Sequence, residues 1–333
     1  MNTSWHPANF TRTPNEPPRI LPIVALVRPK WSVMIPVYNA GPFLKESILS
    51  VLKQAQDEVD MQIQVVDDCS TDVDVESFVY QLGNGRIEYY RQPFNVGSLR
   101  NFETCINLAK GKYIHLLHSD DLVHLGFYKR LESLFERYPT VGAAFCHYQY
   151  IDETGKVVLV PDAESTEEGI LENWLLRLSE RQRIQYVAIA VKREVYEELG
   201  AFYGVHYGED WEMWARIASK YPFAYSPAIL ASYRRHENSI SGKSFSSAQN
   251  LHDLEFVMEK INRLLPEHER KAALQRAKKF YAYYALRTAG VLWAKFRDSK
   301  GARMQMKKAW SMHQDIFLAY QILKMVGRLI INR

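Results

Sequence analysis

Residues 31–68, WSVMIPVYNAGPFLKESILSVLKQAQDEVDMQIQVVDD, decide how this chain folds. WSVMIPV is a short apolar run, GPFLKESILSVLKQA carries apolar residues at helical spacing, and MQIQVVDD is a strand again. The rhythm continues: RIEYYRQ (86–92) reads as a strand, SLRNFETCINLAKG (98–111) as a helix ending at Gly111, and KYIHLLHSDD (112–121) as a further strand. Strands and helices alternating through short connections predict crossover units, hence an α/β domain with a mostly parallel central sheet and helices on both faces. In such sheets ligands gather at the carboxyl ends of the strands.

Outward from this core the pattern becomes mixed. A helix is expected over 122–138, then a hairpin of GAAFCHYQYID (142–152) with VVLV (157–160) across the turn DETGK. Loop and short helix follow over 161–185, a strand at YVAIAVK (186–192) and a helix REVYEELG stopped by Gly200. Another helix (DWEMWARIASKY, 210–221) and the strand FAYSPAILASYRRH (223–236) close this part. From about 247 onward there is little but helix. Five of the 14 prolines fall before position 23, so residues 1–30 read as an extended leader. The expected division is a leader (1–30), a catalytic domain (31–245) and a basic helical C-terminal region (246–333).

Composition excludes several classes. With 333 residues, 47% hydrophobic and 24% charged, the chain is neither disordered, collagenous nor a coiled coil. No apolar run approaches the ~18–20 residues of a membrane span, and the polar, proline-rich N-terminus has no signal core, so a cytoplasmic location is expected. Cys69, Cys105 and Cys146 form no CxxC pair and read as small buried hydrophobes. Residues 260–333 hold 17 Lys and Arg against four Asp and Glu, a surplus of 13, which leaves the rest of the chain at −9. An acidic body suits a metal-dependent site, and a basic tail suits an anionic surface.

Four clusters follow predicted strands. Asp67-Asp68 offers two fixed acceptors for a nucleobase or ribose, or a cap for the next helix. His118-Ser119-Asp120-Asp121 has the oxygen donors that magnesium or manganese prefers, again with helix capping as the alternative. Asp210, beside Glu209 and ahead of a helix, suits a general base with Trp211 and Trp214 as aromatic walls, or a helix cap. Tyr233-Arg234-Arg235-His236 suits a phosphate, or is a solvated turn.

In order these are PVYN (36–39), VVDDCSTD (65–72), NVGSLRN (95–101), HSDD (118–121), ED (209–210) and YRRHENSIS (233–241). The series resembles the family 2 inverting glycosyltransferases, over about residues 31–240. The resemblance implies a glycosyltransferase-A type fold with a Rossmann-like nucleotide-binding half, a nucleotide-sugar donor (UDP by default) and Mn2+ or Mg2+. It also implies a glycan or lipid-linked acceptor, in polysaccharide or lipopolysaccharide assembly on the inner face of a membrane. Residue by residue it places Pro36, Val37, Tyr38 and Asn39 at the nucleotide, Asp68 on the base, and Asp67 and Ser70 in support. Asn95, Gly97 and Arg100 come beside the nucleotide, with glycine permitting close backbone approach. His118 stands where the family usually has a first carboxylate, which makes it a ribose contact or a weak substitute and lowers metal affinity. Ser119 joins the nucleotide set, Asp120 takes the metal and Asp121 helps it or caps. Asp210 is the implied base with Glu209 beside it, and Trp211, Arg234, Arg235 and His236 are implied at the diphosphate or acceptor.

The altered first carboxylate keeps open a noncatalytic nucleotide-sugar or glycan-binding relative. A dehydrogenase is unsupported, because no GxGxxG follows the first strand, and nucleic-acid binding lacks any motif. In the last segment, HQDIFLAYQILKMVGRLIINR, Gln314, Gln321, Lys324 and Arg328 form one narrow polar stripe against a wide apolar face. Such a helix packs on its own domain or a second subunit, or lies on an anionic membrane surface.

Overall fold

The computed structural model describes residues 10–24, 27–55, 57–235 and 244–331. It divides into two compact units, one of residues 1–172, 184–206 and 220–235, the other of 173–183, 207–219 and 236–333.

The first unit is built on β1 (Trp31–Val37), α1 (Leu44–Leu52), β2 (Met61–Asp67), α2 (Val75–Gly83), β3 (Glu88–Arg91), α3 (Ser98–Leu108) and β4 (Tyr113–Leu116). β1 lies between β2 and β4, both parallel to it, so that Val33 faces Ile63 on one side and His115 on the other. Every residue of β1 and β2 is buried. That is why β1 reads as a nearly unbroken apolar run, both faces of a parallel sheet being covered, while the buried Gln62 and Gln64 of β2 are hydrogen-bonded, to Ser32 and to each other. Trp31, Val33, Ile35, Met61 and Ile63 share one core with Ile48 and Val51 of α1. Burial of each such side chain contributes roughly 1.5–3 kcal/mol. The chain turns into β4 at Gly111, whose N–H donates to Ser32 Oγ at 2.7 Å. A Cβ there would lie 2.5 Å from the Ser32 backbone nitrogen, so only glycine fits.

Beyond β4 come β5 (Leu122–Val123), α4 (Phe127–Arg137), β6 (Ala143–Ile151), β7 (Val157–Leu159), β8 (Gly169–Ile170), α5 (Trp174–Glu180), β9 (Ile189–Lys192), α6 (Arg193–Leu199), α7 (Glu209–Ala218) and β10 (Phe223–Arg234). Among the described residues the sheet has ten strands in the order β3-β2-β1-β4-β9-β6-β10-β5, with β7 paired to β6 and β8 to β10. β6 and β10 are parallel, whereas β9 runs antiparallel to both β4 and β6. The sheet is therefore mixed, mostly parallel in its first half, with flanking helices.

Two local expectations are corrected. Leu122 and Val123, expected to open a helix, pair with Ser232 and Ala231 of β10, and the helix starts only after Gly126, at φ +92°. Strand pairing here overrides the helical spacing of the local sequence. Cys105 and Cys146 are buried as expected, but Cys69 is only half-buried, in a loop at φ +63°. The described leader residues lie against the first unit: Ala201 N donates to Pro18 O, Gly204 N to Pro14 O, and the buried Arg193 to Leu21 O.

The second unit is helical. It holds α5, α7, α8 (Gln249–Leu264), α9 (Glu267–Phe296), α10 (Ser299–Met312) and α11 (Ile316–Ile331). α9, α10 and α11 share a core of Ala289, Leu292, Ala302, Met306, Met325 and Leu329.

Candidate active site

Asp67 and Asp68 end β2 at its carboxyl edge, and neither caps α2; Asp74 does, accepting from Ser77 N. Asp67 is fully buried. One of its oxygens accepts from Ser70 N at 2.8 Å, and the other from Tyr89 Oη and the Arg91 guanidinium. Ser70 Oγ in turn accepts from Asn39 N, and Asn39 Oδ1 from Thr71 N. Asn39 sits at φ +48°, a conformation asparagine tolerates better than most residues. PVYN and DDCST are thus one interlocked pair of loops. Tyr38 stands half out of this edge, whereas Pro36 and Val37, expected to line a pocket, are buried in β1 and contribute only backbone; Val37 O accepts from Asp68 N at 2.8 Å.

Asp68 reaches across to NVGSLRN. Its oxygens accept from Val96 N at 2.6 Å, Gly97 N at 2.9 Å and Asn95 Nδ2 at 2.9 Å. Burial pushes this carboxyl up to about 6, against the two amide donors that favour its charge. Gly97 caps α3 at φ +87°, where a side chain would strain the backbone. Arg100, expected beside the nucleotide, is engaged otherwise, by Glu103 at 2.7 Å and by Thr11 O at 3.0 Å. The leader also places Arg12 on this loop, donating to Asn95 O.

The end of β4 carries the acidic group. The helix-cap reading of Asp120 and Asp121 fails, because α4 is capped by Gly126. His118, Asp120 and Asp121 each bring one donor atom to within 4.8 Å of the others, a group able to hold a metal ion. Asp121 is fully buried: one oxygen accepts from Arg234 N at 2.8 Å, and the other has no hydrogen-bond partner. Burial, helped by Asp120, pushes the Asp121 carboxyl well above the usual range, a state that a nearby cation reverses. The His118 ring packs against Tyr186 at 4.4 Å and Phe102 at 5.3 Å, and its Nε2 is likewise buried without a hydrogen bond. Burial lowers its pKa, so the imidazole stays neutral, the form that binds metals. Two orphaned buried polar atoms in one three-residue group fit a divalent cation. Ser119, between them, is half-buried.

Arg234 points inward and Arg235 outward. The Arg234 side chain is buried over the Phe43 ring and donates to the carbonyls of Asp120, Asp152 and Glu153 and to Glu46. Expected at a diphosphate, it is committed instead to the acidic loop. Arg235 lies exposed across Tyr150. His236 lies outside the described residues.

In the second unit, Asp210 sits one residue inside α7, whose cap is Gly208, at φ +92°. Its carboxylate accepts from Trp211 N at 2.7 Å and from Gln182 Nε2. Gln182 is itself held, its N–H donating to the buried Tyr281 hydroxyl at 3.0 Å. Burial raises the Asp210 pKa to about 6, which suits a group that must accept a proton near neutrality. Glu209, its neighbour, is half-buried. Trp211 and Trp214, expected as walls, are core residues; Trp211 is fully buried and donates to Leu178 O at 2.6 Å.

Sequence reading missed Gln182, Arg12 and the seats of His118 on Phe102 and Tyr186. All are long-range partners without a motif of their own.

The glycosyl transferase family 2 model matches residues 32–200. An uncharacterized glycosyltransferase of Mycoplasma pneumoniae is 36% identical over 35% of this chain and 40% of its own, so this chain spans about two fifths of that relative. The putative teichuronic acid biosynthesis glycosyltransferase TuaG of Bacillus subtilis is 28% identical over 71% of this chain and 90% of its own. The structure of S. aureus TarS 1–349 in complex with UDP-GlcNAc superposes with a TM-score of 0.66, covering 90% of this chain and 89% of that one at 15% identity. The last likeness carries the fold.

Proposed function

Because this chain belongs to glycosyl transferase family 2, we propose that it is an inverting glycosyltransferase, moving a sugar from a nucleotide-diphosphate donor to a hydroxyl of a glycan or lipid-linked acceptor. UDP is the proposed nucleotide, a reading supported by the UDP-GlcNAc seen in the TarS structure. Cell-surface polysaccharide is the proposed product class, supported by the likeness to TuaG. The observation that carries the reading is the acidic group His118, Asp120 and Asp121 at the end of β4, in the same sheet edge as the interlocked loops after β1 and β2.

Each residue then has a role. Asn39, Ser70, Asp68 and the 95–97 loop form the rigid frame for the nucleoside, and Tyr38 offers an exposed ring beside it. Asp120 and Asp121, with neutral His118, would hold the divalent cation. That cation would neutralise the charge that grows on the leaving diphosphate. Asp210 takes the proton of the acceptor hydroxyl as its oxygen bonds to the anomeric carbon; the carbon–oxygen bond to the diphosphate breaks, and its electron pair leaves on that oxygen. A single displacement needs one base and no covalent nucleophile, unlike a retaining glycosidase.

Calorimetric titration of UDP, GDP, dTDP and CDP, with and without Mn2+, on wild type and Asp120→Ala, tests this. Binding of one nucleotide that requires the metal and is lost in the variant is expected. Absence of binding by every nucleotide under every condition would sink the reading.

A further inference from the structure

The helix α11 has two apolar faces and buries only one. Leu318, Met325 and Leu329 are buried, two of them in the core shared with α9 and α10. On the opposite side Ile316 is 91% exposed, Tyr320 57% and Leu323 70%, with Phe317 at 59% beside them. At 100° per residue Ile316, Tyr320, Leu323 and Gly327 fall within an arc of about 60°, a continuous stripe where a water-facing helix would carry polar groups. A contiguous exposed apolar patch of this kind marks a docking surface.

Basic groups border the stripe. Lys324 and Arg328 of α11 and Arg287 of α9 line one cleft with Tyr283 and Gln321, about 310 Å³ in volume. α11 itself contains no Asp or Glu, and Asp315, just before it, is occupied by Tyr283 Oη, His313 and Leu318 N. We propose that α11 lies in the surface of an anionic lipid bilayer, with Ile316, Tyr320 and Leu323 among the acyl chains and Lys324, Arg328 and Arg287 at the phosphate headgroups. Charge selects this occupant over a second copy. Residues 260–333 carry 17 basic against four acidic side chains, so two such surfaces brought together repel, whereas an anionic membrane attracts them. No helix among the described residues is long and apolar enough to cross a membrane, and 16 residues span only about 24 Å, so α11 lies on the bilayer. The inference goes beyond the proposed transfer reaction and needs neither its donor nor its acceptor.

Flotation of the full-length protein with phosphatidylcholine vesicles containing 30% phosphatidylglycerol, against pure phosphatidylcholine vesicles, tests it. Wild type is expected to float with the anionic vesicles and to be released by salt. Ile316→Ser/Tyr320→Ser/Leu323→Ser and Lys324→Gln/Arg328→Gln should each lower the partition coefficient at least tenfold. All five side chains are on the surface, so both variants should melt like wild type, which circular dichroism checks; nucleotide titration, reporting the other reading, should also be unchanged. Equal flotation of all three proteins, or none by wild type, overturns the proposal. A dimer in light scattering that the serine variant abolishes, without vesicle binding, assigns the stripe to a second copy and also overturns it.

Discussion

Arg234 and Asp121 meet at the edge of the sheet, the Arg234 N–H donating to Asp121 Oδ1 at 2.8 Å, while the Arg234 Nε holds the carbonyl of the preceding Asp120 at 2.9 Å. One residue of β10 thus sets both the backbone and the side chain of the acidic pair. The register of β5 on β10, Leu122 opposite Ser232, brings them together. A guanidinium is needed because four acceptors, three of them carbonyls, are served by one planar group.

Arg234→Lys should therefore fail as a conservative change. Lysine keeps the charge and the bond to Asp121, which comes from the backbone, but cannot reach the carbonyls of 120, 152 and 153 together. A loss of about 2–4 kcal/mol in urea unfolding and at least tenfold weaker Mn2+-dependent nucleotide binding are expected. A wild-type metal response would show that the buried fork does not shape the cation site.

Asp210→Asn removes the proposed base while preserving shape. Turnover should fall by about 10²–10⁴, with nucleotide affinity unchanged. In wild type the carboxyl pKa is raised to about 6, so the basic form is lost as pH falls through 6, and kcat should drop about tenfold per unit below it. The same raised pKa means that the folded state binds the proton more tightly than the unfolded chain. Asp210 therefore favours folding at acid pH and costs stability as pH rises from the ordinary carboxylate range through 6. The asparagine variant should gain stability relative to wild type above pH 6, read from melts at pH 5 and 8.

His118 is the neutral member of the group, which therefore carries less charge than three carboxylates would. His118→Ala should weaken Mn2+-dependent UDP binding by about tenfold, as expected for loss of one metal contact, and His118→Asp should strengthen it. Calorimetry with a Mn2+ titration reads both. No change in either variant would leave the imidazole a packing residue on Phe102 and Tyr186.

Asp68→Asn replaces an oxygen that accepts from Gly97 N or Val96 N by an amide donor. The 95–97 loop should detach, at about 1–3 kcal/mol for the unsatisfied buried groups, with nucleotide binding reduced at least tenfold. Thermal unfolding and calorimetry of the same sample separate the two effects.

Gly111→Ala lies away from these groups and tests the fold alone. The added carbon would meet the Ser32 backbone at 2.5 Å, so β1 and β4 must separate locally, at about 1–3 kcal/mol. A change within 0.5 kcal/mol in urea unfolding would show that the strands relax freely.

Much of this was legible along the chain. The apolar runs of β1, β2 and β4 and the amphipathic spacing of α1 and α3 are local signals, and so are the glycines at 97, 111 and 200. The candidate clusters at 67–68, 118–121 and 233–235 were legible too, since each ends or follows a strand, whereas Asp210 comes after α6 and opens α7. Helix capping was the ordinary alternative for three of the four. The structure gives that task to Asp74, Gly126 and Gly208, leaving Asp68, Asp121 and Asp210 to other partners. The short β5 was not legible, because a two-residue strand exists only through its neighbour on β10. The inward turn of Arg234 and the outward turn of Arg235 were equally hidden: adjacent residues of a strand point to opposite faces, and the side that is buried depends on what packs there.

By itself, then, the order of residues determined the α/β class, the family resemblance, the position of Asp67-Asp68 and of residues 118–121 at strand ends and the charge contrast of the tail, because periodicity, turn chemistry and charge are written locally. Tertiary structure alone decided which carboxylates are buried, that His118 is seated on Phe102 and Tyr186, that Trp211 is core and not wall, and that α11 leaves Ile316, Tyr320 and Leu323 uncovered. Those outcomes depend on partners tens to hundreds of residues away, and desolvation, which moves a carboxyl to about 6 at both Asp68 and Asp210, exists only once those partners have closed around it.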